Sequence, residues 1–229
     1  MSEPLARVER PAADSFHARR KLYLVFVVFT HDGAPQEYKD RCEQYWRQVG
    51  EQLSNLESKA GVARHIYHES IYEAGDAGLT LLKRLHRYSH DLVRPRCDSG
   101  AALEAMEDRE LAAEVSDWER FMMMGYSSSR VAELVRDLYT QALKKRNEHV
   151  ITVIDTTLGS GEAGLLLVGE GHRLQFPSDI EVFSVVPPAL DELHRWVRDQ
   201  ANQHPAGETA GEESVEGAVV DDDVDLEER

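Results

Sequence analysis

Residues 164–172 read GLLLVGEGH, four large apolar side chains running into Gly169-Glu170-Gly171-His172. A short, uninterrupted apolar run bounded by glycines suits a strand covered on both faces, the kind that fills parallel sheets. KLYLVFVVFT (21–30) has the same character, β-branched and aromatic without alternation, and is broken by His31-Asp32-Gly33-Ala34-Pro35. Two such strands separated by helices predict an α/β domain with a mainly parallel open sheet.

Between them the period changes. From Gln36 to Lys59, Tyr38, Cys42, Tyr45/Trp46, Val49, Leu53 and Leu56 recur at three- and four-residue steps, the stripe of an amphipathic helix that Gly61 closes. VARHIYHESI (62–71) reads as a second strand, with Val62 and Ile66 apolar and His65 on the polar face. Residues 77–94 predict one helix stopped at Arg94-Pro95, and residues 101–124 one or two acidic helical segments. Together, 77–124 form a helical insertion. Ser127–Ser129 offer N-caps for a long helix over 129–158, 179–187 reads as a further strand, and Pro187-Pro188 start a last helix. In that helix Leu190, Leu193, Trp196 and Val197 fall at core spacing.

Residues 1–20 read as a loose arm, 21–201 as one domain and 202–229 as an acidic tail. The tail carries ten of the 42 Asp and Glu against one Arg, too few large apolar residues to fold, and so about −9 of the formal charge of −16. The body is acidic as well, which argues against non-specific nucleic-acid binding. Cys42 and Cys97 form no CxxC pair or disulfide framework. The opening MSEPLARVERPAADS has no apolar signal core and no run is long enough to span a bilayer, which predicts a soluble cytoplasmic protein away from membranes.

Ligands of open α/β sheets bind beyond the carboxyl ends of the strands. Here those ends carry Thr30-His31 and Glu170-x-His172. Imidazole with carboxylate suits metal ligation or acid–base work, and Gly169 and Gly171 let backbone approach a ligand or adopt positive φ. Upstream, Asn147 falls on the apolar stripe of the long helix beside Arg146, where a buried amide requires a partner. The plain alternative is a strand followed by a turn. Of the other histidine pairs, His65 and His68 fall on opposite faces of a strand, while His86 and His90 share a helix face, read here as solvated. P-loop, GxGxxG, GxSxG and EF-hand patterns are absent, against kinases, Rossmann dehydrogenases and serine hydrolases.

RNEHVITVI (146–154) followed by GLLLVGEGH resembles, over residues 146–172, the C-terminal half of the TraB/PrgY/GumN family and its erythromycin-esterase-like and ChaN-like relatives. There a helix with an Arg-Asn or Arg-Asp pair precedes a strand ending in Gly-x-Gly-His. An early strand of that family ends in a Gly-Thr-x-His-like or Gly-Glu-x-His-like motif, for which VVFTHDG (27–33) supplies Thr30 and His31 without the glycine and without the spacing. The resemblance implies a hydrolase-like, metal-assisted site in which His31, Glu170 and His172 act as ligands of a divalent metal or as acid–base groups and Arg146 stabilises developing negative charge. On that resemblance Glu170, His172 and Arg146 are the expected catalytic residues and His31 with His172 the expected metal ligands. The residues themselves place Asn147, Gly169 and Gly171 against the ligand. The rival expectation is a non-catalytic adaptor or translation-associated protein that meets a protein partner through residues 77–124 or the acidic tail.

Overall fold

The computed structural model describes residues 19–203. Five strands, β1 (Arg20–Phe26), β2 (Ala63–His68), β3 (Ala102–Leu103), β4 (Ala163–Val168) and β5 (Ile180–Val185), form one sheet in the order β3-β2-β4-β1-β5, every pairing parallel. Six helices accompany it: α1 (Gln36–Ala60), α2 (Gly75–Leu85), α3 (Arg87–Asp98), α4 (Arg109–Met123), α5 (Ser129–Thr157) and α6 (Pro188–Gln203). The α/β class and the parallel sheet are as expected. The compact body runs to Leu193, and the last helix from His194 belongs to a second unit, in which Val197 is exposed.

GLLLV lies at the centre of the sheet. All six residues of β4 are buried between β1 and β2, with Phe26 opposite Val168, so β1 and β4 end level. Gly164 fits a tight site, where a Cβ would sit 3.1 Å from the Tyr67 ring, 3.2 Å from Leu22 and 3.4 Å from Leu158. On one face Tyr23, Val25, Ile66, Leu165 and Leu167 meet the α1 stripe Cys42, Tyr45, Trp46, Val49 and Leu53, together with α2, α3 and the start of α6. On the other, Leu22, Leu24, Tyr67, Leu166 and Val168 meet Val150, Ile154 and Leu158 at the end of α5. Gly61, at φ 112°, ends α1, its N–H donating to the Glu57 carbonyl.

Several expected boundaries shift, each for a local reason. The first strand ends at Phe26 rather than Thr30. Tyr45 Oη–H donates to the Phe26 carbonyl (2.5 Å) and Trp46 Nε1–H to that of Val28 (3.3 Å), so side chains of α1 take the place of a neighbouring strand. The strand starts one residue early: Arg20, read as arm, is in β1 and is clamped by Asp155 (2.7 Å) and Asp179 (2.8 Å). β2 stops at His68, and Val62 is exposed rather than core-facing. The expected helix 77–94 is two helices. The chain breaks at His86, whose Nδ1 accepts the Ser89 N–H as the cap of α3, and α3 then runs through Pro95 to Asp98. The 77–124 segment is not wholly helical, because it contributes the edge strand β3. The last helix reaches Gln203, past the expected start of the tail. Residues 1–18 of the expected arm and 204–229 of the acidic tail lie outside the described residues.

Candidate functional site

The connections leaving the carboxyl ends of β1 and β4 diverge. β1 leads to α1 on one face, whereas the chain after β4 turns to the other, where Leu174 and Phe176 pack against the second core. Adjacent strands whose connections part in this way open the crevice in which α/β sheets bind ligands. A cleft of about 310 Å³ lies at this edge on the α5 side. Five of the expected residues line it: Arg146 and Asn147 from α5, and Gly169, Gly171 and His172 from the loop after β4.

The cleft holds a residue that the sequence reading missed. Glu69, directly after β2, accepts the Gly169 N–H at 2.7 Å through Oε2. The approach is close, since a Cβ at Gly169 would stand 3.3 Å from that oxygen. Burial raises the Glu69 pKa, the Gly169 bond and the Arg146 charge pull it back in part, and the neighbouring Glu107 carboxylate raises it again. Glu107, whose side chain is 2% exposed, takes Arg146 through two bonds: Nε donates to Oε2 at 3.0 Å and Nη2 donates to Oε1. Burial lifts the Glu107 carboxyl as well, against the pull of Arg146. Arg146 Nη1 makes no hydrogen bond with a described residue.

His172 stands between Phe26 and Phe176, ring centroids 6.3 and 6.4 Å away, and burial lowers its pKa. Its Nδ1 accepts the Leu174 N–H at 3.4 Å. The neutral ring therefore carries its proton on Nε2, a donor.

Other expectations do not converge here. Glu170 does not line the cleft, and its charge acts on Tyr45 of α1. His31 lies in the turn after β1, its carbonyl accepting the Ala34 N–H, and it is not part of the cleft wall. Among the described residues no group of three or more His, Cys, Asp or Glu is placed to hold a metal ion. Gly169 and Gly171 do not adopt positive φ. Asn147 is half-buried on the cleft wall rather than enclosed in the core.

His65 and His68 do fall on opposite faces of β2. His65 Nδ1 meets Glu104 at 2.8 Å, and His68 is wholly buried. His86 is buried rather than solvated, with both ring nitrogens engaged, by the Ser89 N–H and the Val28 carbonyl (3.0 Å), while the His90 ring meets Asp91.

One signal pointed to Glu69. It is the first residue past a strand of a parallel sheet, where ligand-binding groups collect. Glu107 had no such signal, as one carboxylate in an acidic run. No protein family, no curated protein and no solved structure matches the chain. Among the described residues, no helix is long and apolar enough to cross a membrane.

Proposed function

We propose that the cleft is the site of a hydrolase-like enzyme that works by acid–base chemistry on a small molecule. The observation that carries this reading is Glu69, a carboxyl with raised proton affinity, fixed by the Gly169 N–H beside Arg146 in a concave site at the ligand edge of the sheet. Glu69 takes a proton from water as the water oxygen attacks the electrophilic carbon. Arg146 meets the negative charge that develops on the substrate oxygen, His172 Nε2–H donates a hydrogen bond to the leaving group, and Glu69 passes on to that group the proton it took from the water. The resemblance of residues 146–172 to the TraB/PrgY/GumN family implies the same class of chemistry through Arg146 and His172.

A panel of 4-nitrophenyl acyl esters, followed from pH 5 to 9, tests the reading. The wild type turns over at least one ester, and Glu69→Gln lowers kcat/KM by about 100-fold, the scale of a lost general base, at unchanged Tm. No turnover by the wild type, or equal turnover by the variant, counts against it.

A second reading, the adaptor, is favoured by one surface. α4 and α5 form a hairpin whose tip exposes Phe121, Met122, Met123, Met124, Val131 and Leu134, with Met123 83% exposed. Contiguous apolar surface of this kind marks contact sites, and methionine suits adaptable ones. On this reading Met123→Glu with Met124→Glu abolishes partner recovery in pull-downs, while Glu69→Gln leaves recovery intact. Recovery unchanged by the tip substitutions removes the hairpin from consideration.

A further inference from the structure

A second cavity of about 600 Å³ lies beside the cleft along α5, and Leu143, Asn147 and Arg173 line both. The loop that separates them is tied down at alternate positions. His172, Leu174 and Phe176 turn toward the body, where Leu174 and Phe176 join the second core, while Arg173 and Gln175 are exposed and face the outer cavity. The charges around Arg173 are engaged with one another: Arg146 with Glu107, Glu119 with the Tyr139 hydroxyl at 3.3 Å, Glu69 with the Gly169 N–H, and Lys144 with Glu148 at 3.7 Å. Arg173 makes no hydrogen bond and no ion pair with any described residue. A guanidinium carries five donors in a planar fork that matches carboxylate and phosphate.

We infer that Arg173 is a specificity residue, and that the ligand is an elongated molecule bearing an oxyanion group. The reacting end lies in the inner cleft by Glu69. The oxyanion meets Arg173 at the neck, and the apolar part runs over Leu143 and Ile151 in the outer cavity. This rests on the cleft being the ligand site and adds the class of ligand to it.

Binding, rather than turnover, separates this inference from the catalytic reading. The probes are 4-phenylbutyrate, its neutral amide and 3-phenylpropyl phosphate, titrated by NMR into the full chain. The wild type binds an anionic probe at least about 10-fold more tightly than the amide, the scale of a charge-assisted hydrogen bond. Which of carboxylate and phosphate binds better identifies the oxyanion. Arg173→Gln equalises acid and amide, Arg173→Lys restores part of the preference, and Glu69→Gln keeps it whole. Equal wild-type affinities, no binding of any probe, or a preference that survives Arg173→Gln overturns the inference. Discrimination by Arg173 in a protein without esterase activity sustains the inference and sinks the catalytic reading alone.

Discussion

Lowering the pH from about 7 to about 4 is expected to cost the fold about 3 kcal/mol through His68 alone. His68 is wholly buried at the end of β2, with the His86 ring 6.0 Å away. Its Nδ1 accepts the Ser70 N–H, and its Nε2 has no partner among the described residues. Burial first, and the like charge of His86 second, depress the pKa from 6.5 to about 3. Below pH 6.5 the unfolded chain takes up a proton that the folded chain refuses, so stability falls as the pH falls. The loss levels off only at about 3, where the folded imidazole titrates. His86, lowered mainly by burial, works in the same direction. Glu69 and Glu107 work against it: their raised pKa values let the folded chain bind protons before the unfolded one, which is stabilising on acidification. The quantity to read is therefore the difference between wild type and His68→Asn in urea unfolding across this pH range. The variant loses about 3 kcal/mol less than wild type between the two ends. Parallel pH profiles would mean that His68 is protonated in the native state.

Arg146→Met is expected to destabilise the protein by about 3 kcal/mol at pH 7, because it leaves the Glu107 carboxylate buried without its cation. The cost is set by the stranded charge more than by the lost contact. Replacing both partners, Arg146→Met with Glu107→Met, should recover most of the loss, since an apolar pair of similar volume avoids the desolvation of both ions. The loss in the single variant should also shrink as the pH falls, because Glu107, already raised by burial, then protonates. Chemical denaturation of the two single variants and the double variant gives the coupling directly. Additive effects would show that the two side chains do not depend on each other.

Much of the fold was legible because burial in a parallel sheet leaves a plain trace. GLLLV has no polar position, and all six residues of β4 are buried. The α1 stripe from Cys42 to Leu53 packs as its spacing predicts. What escaped notice depends on contacts remote in sequence. β3 is two residues long and has no period to read. The break at His86 is fixed by a carbonyl 58 residues away. Two residues of the candidate site, Glu69 and Glu107, share this property. Arg146, Asn147, Gly169, Gly171 and His172 were visible as a motif, and the cleft gathers them. Glu170 and His31 carried suitable chemistry but are placed elsewhere by local backbone direction. Glu69 lies just past the end of β2, inside the span that the sequence predicts as one longer strand, and the carboxylate of Glu107 is held by an arginine 39 residues on.

The central claim is that Glu69 is poised for proton transfer, and carbon-detected NMR titration of its side-chain carboxyl tests it most directly. Loss of the resonance in Glu69→Gln assigns the signal. A midpoint above the ordinary glutamate value of about 4.3 is predicted, and it should rise further in Arg146→Met as the neighbouring cation is lost. A midpoint at or below the ordinary value would make Glu69 a plain structural acceptor for the Gly169 N–H and contradict the account.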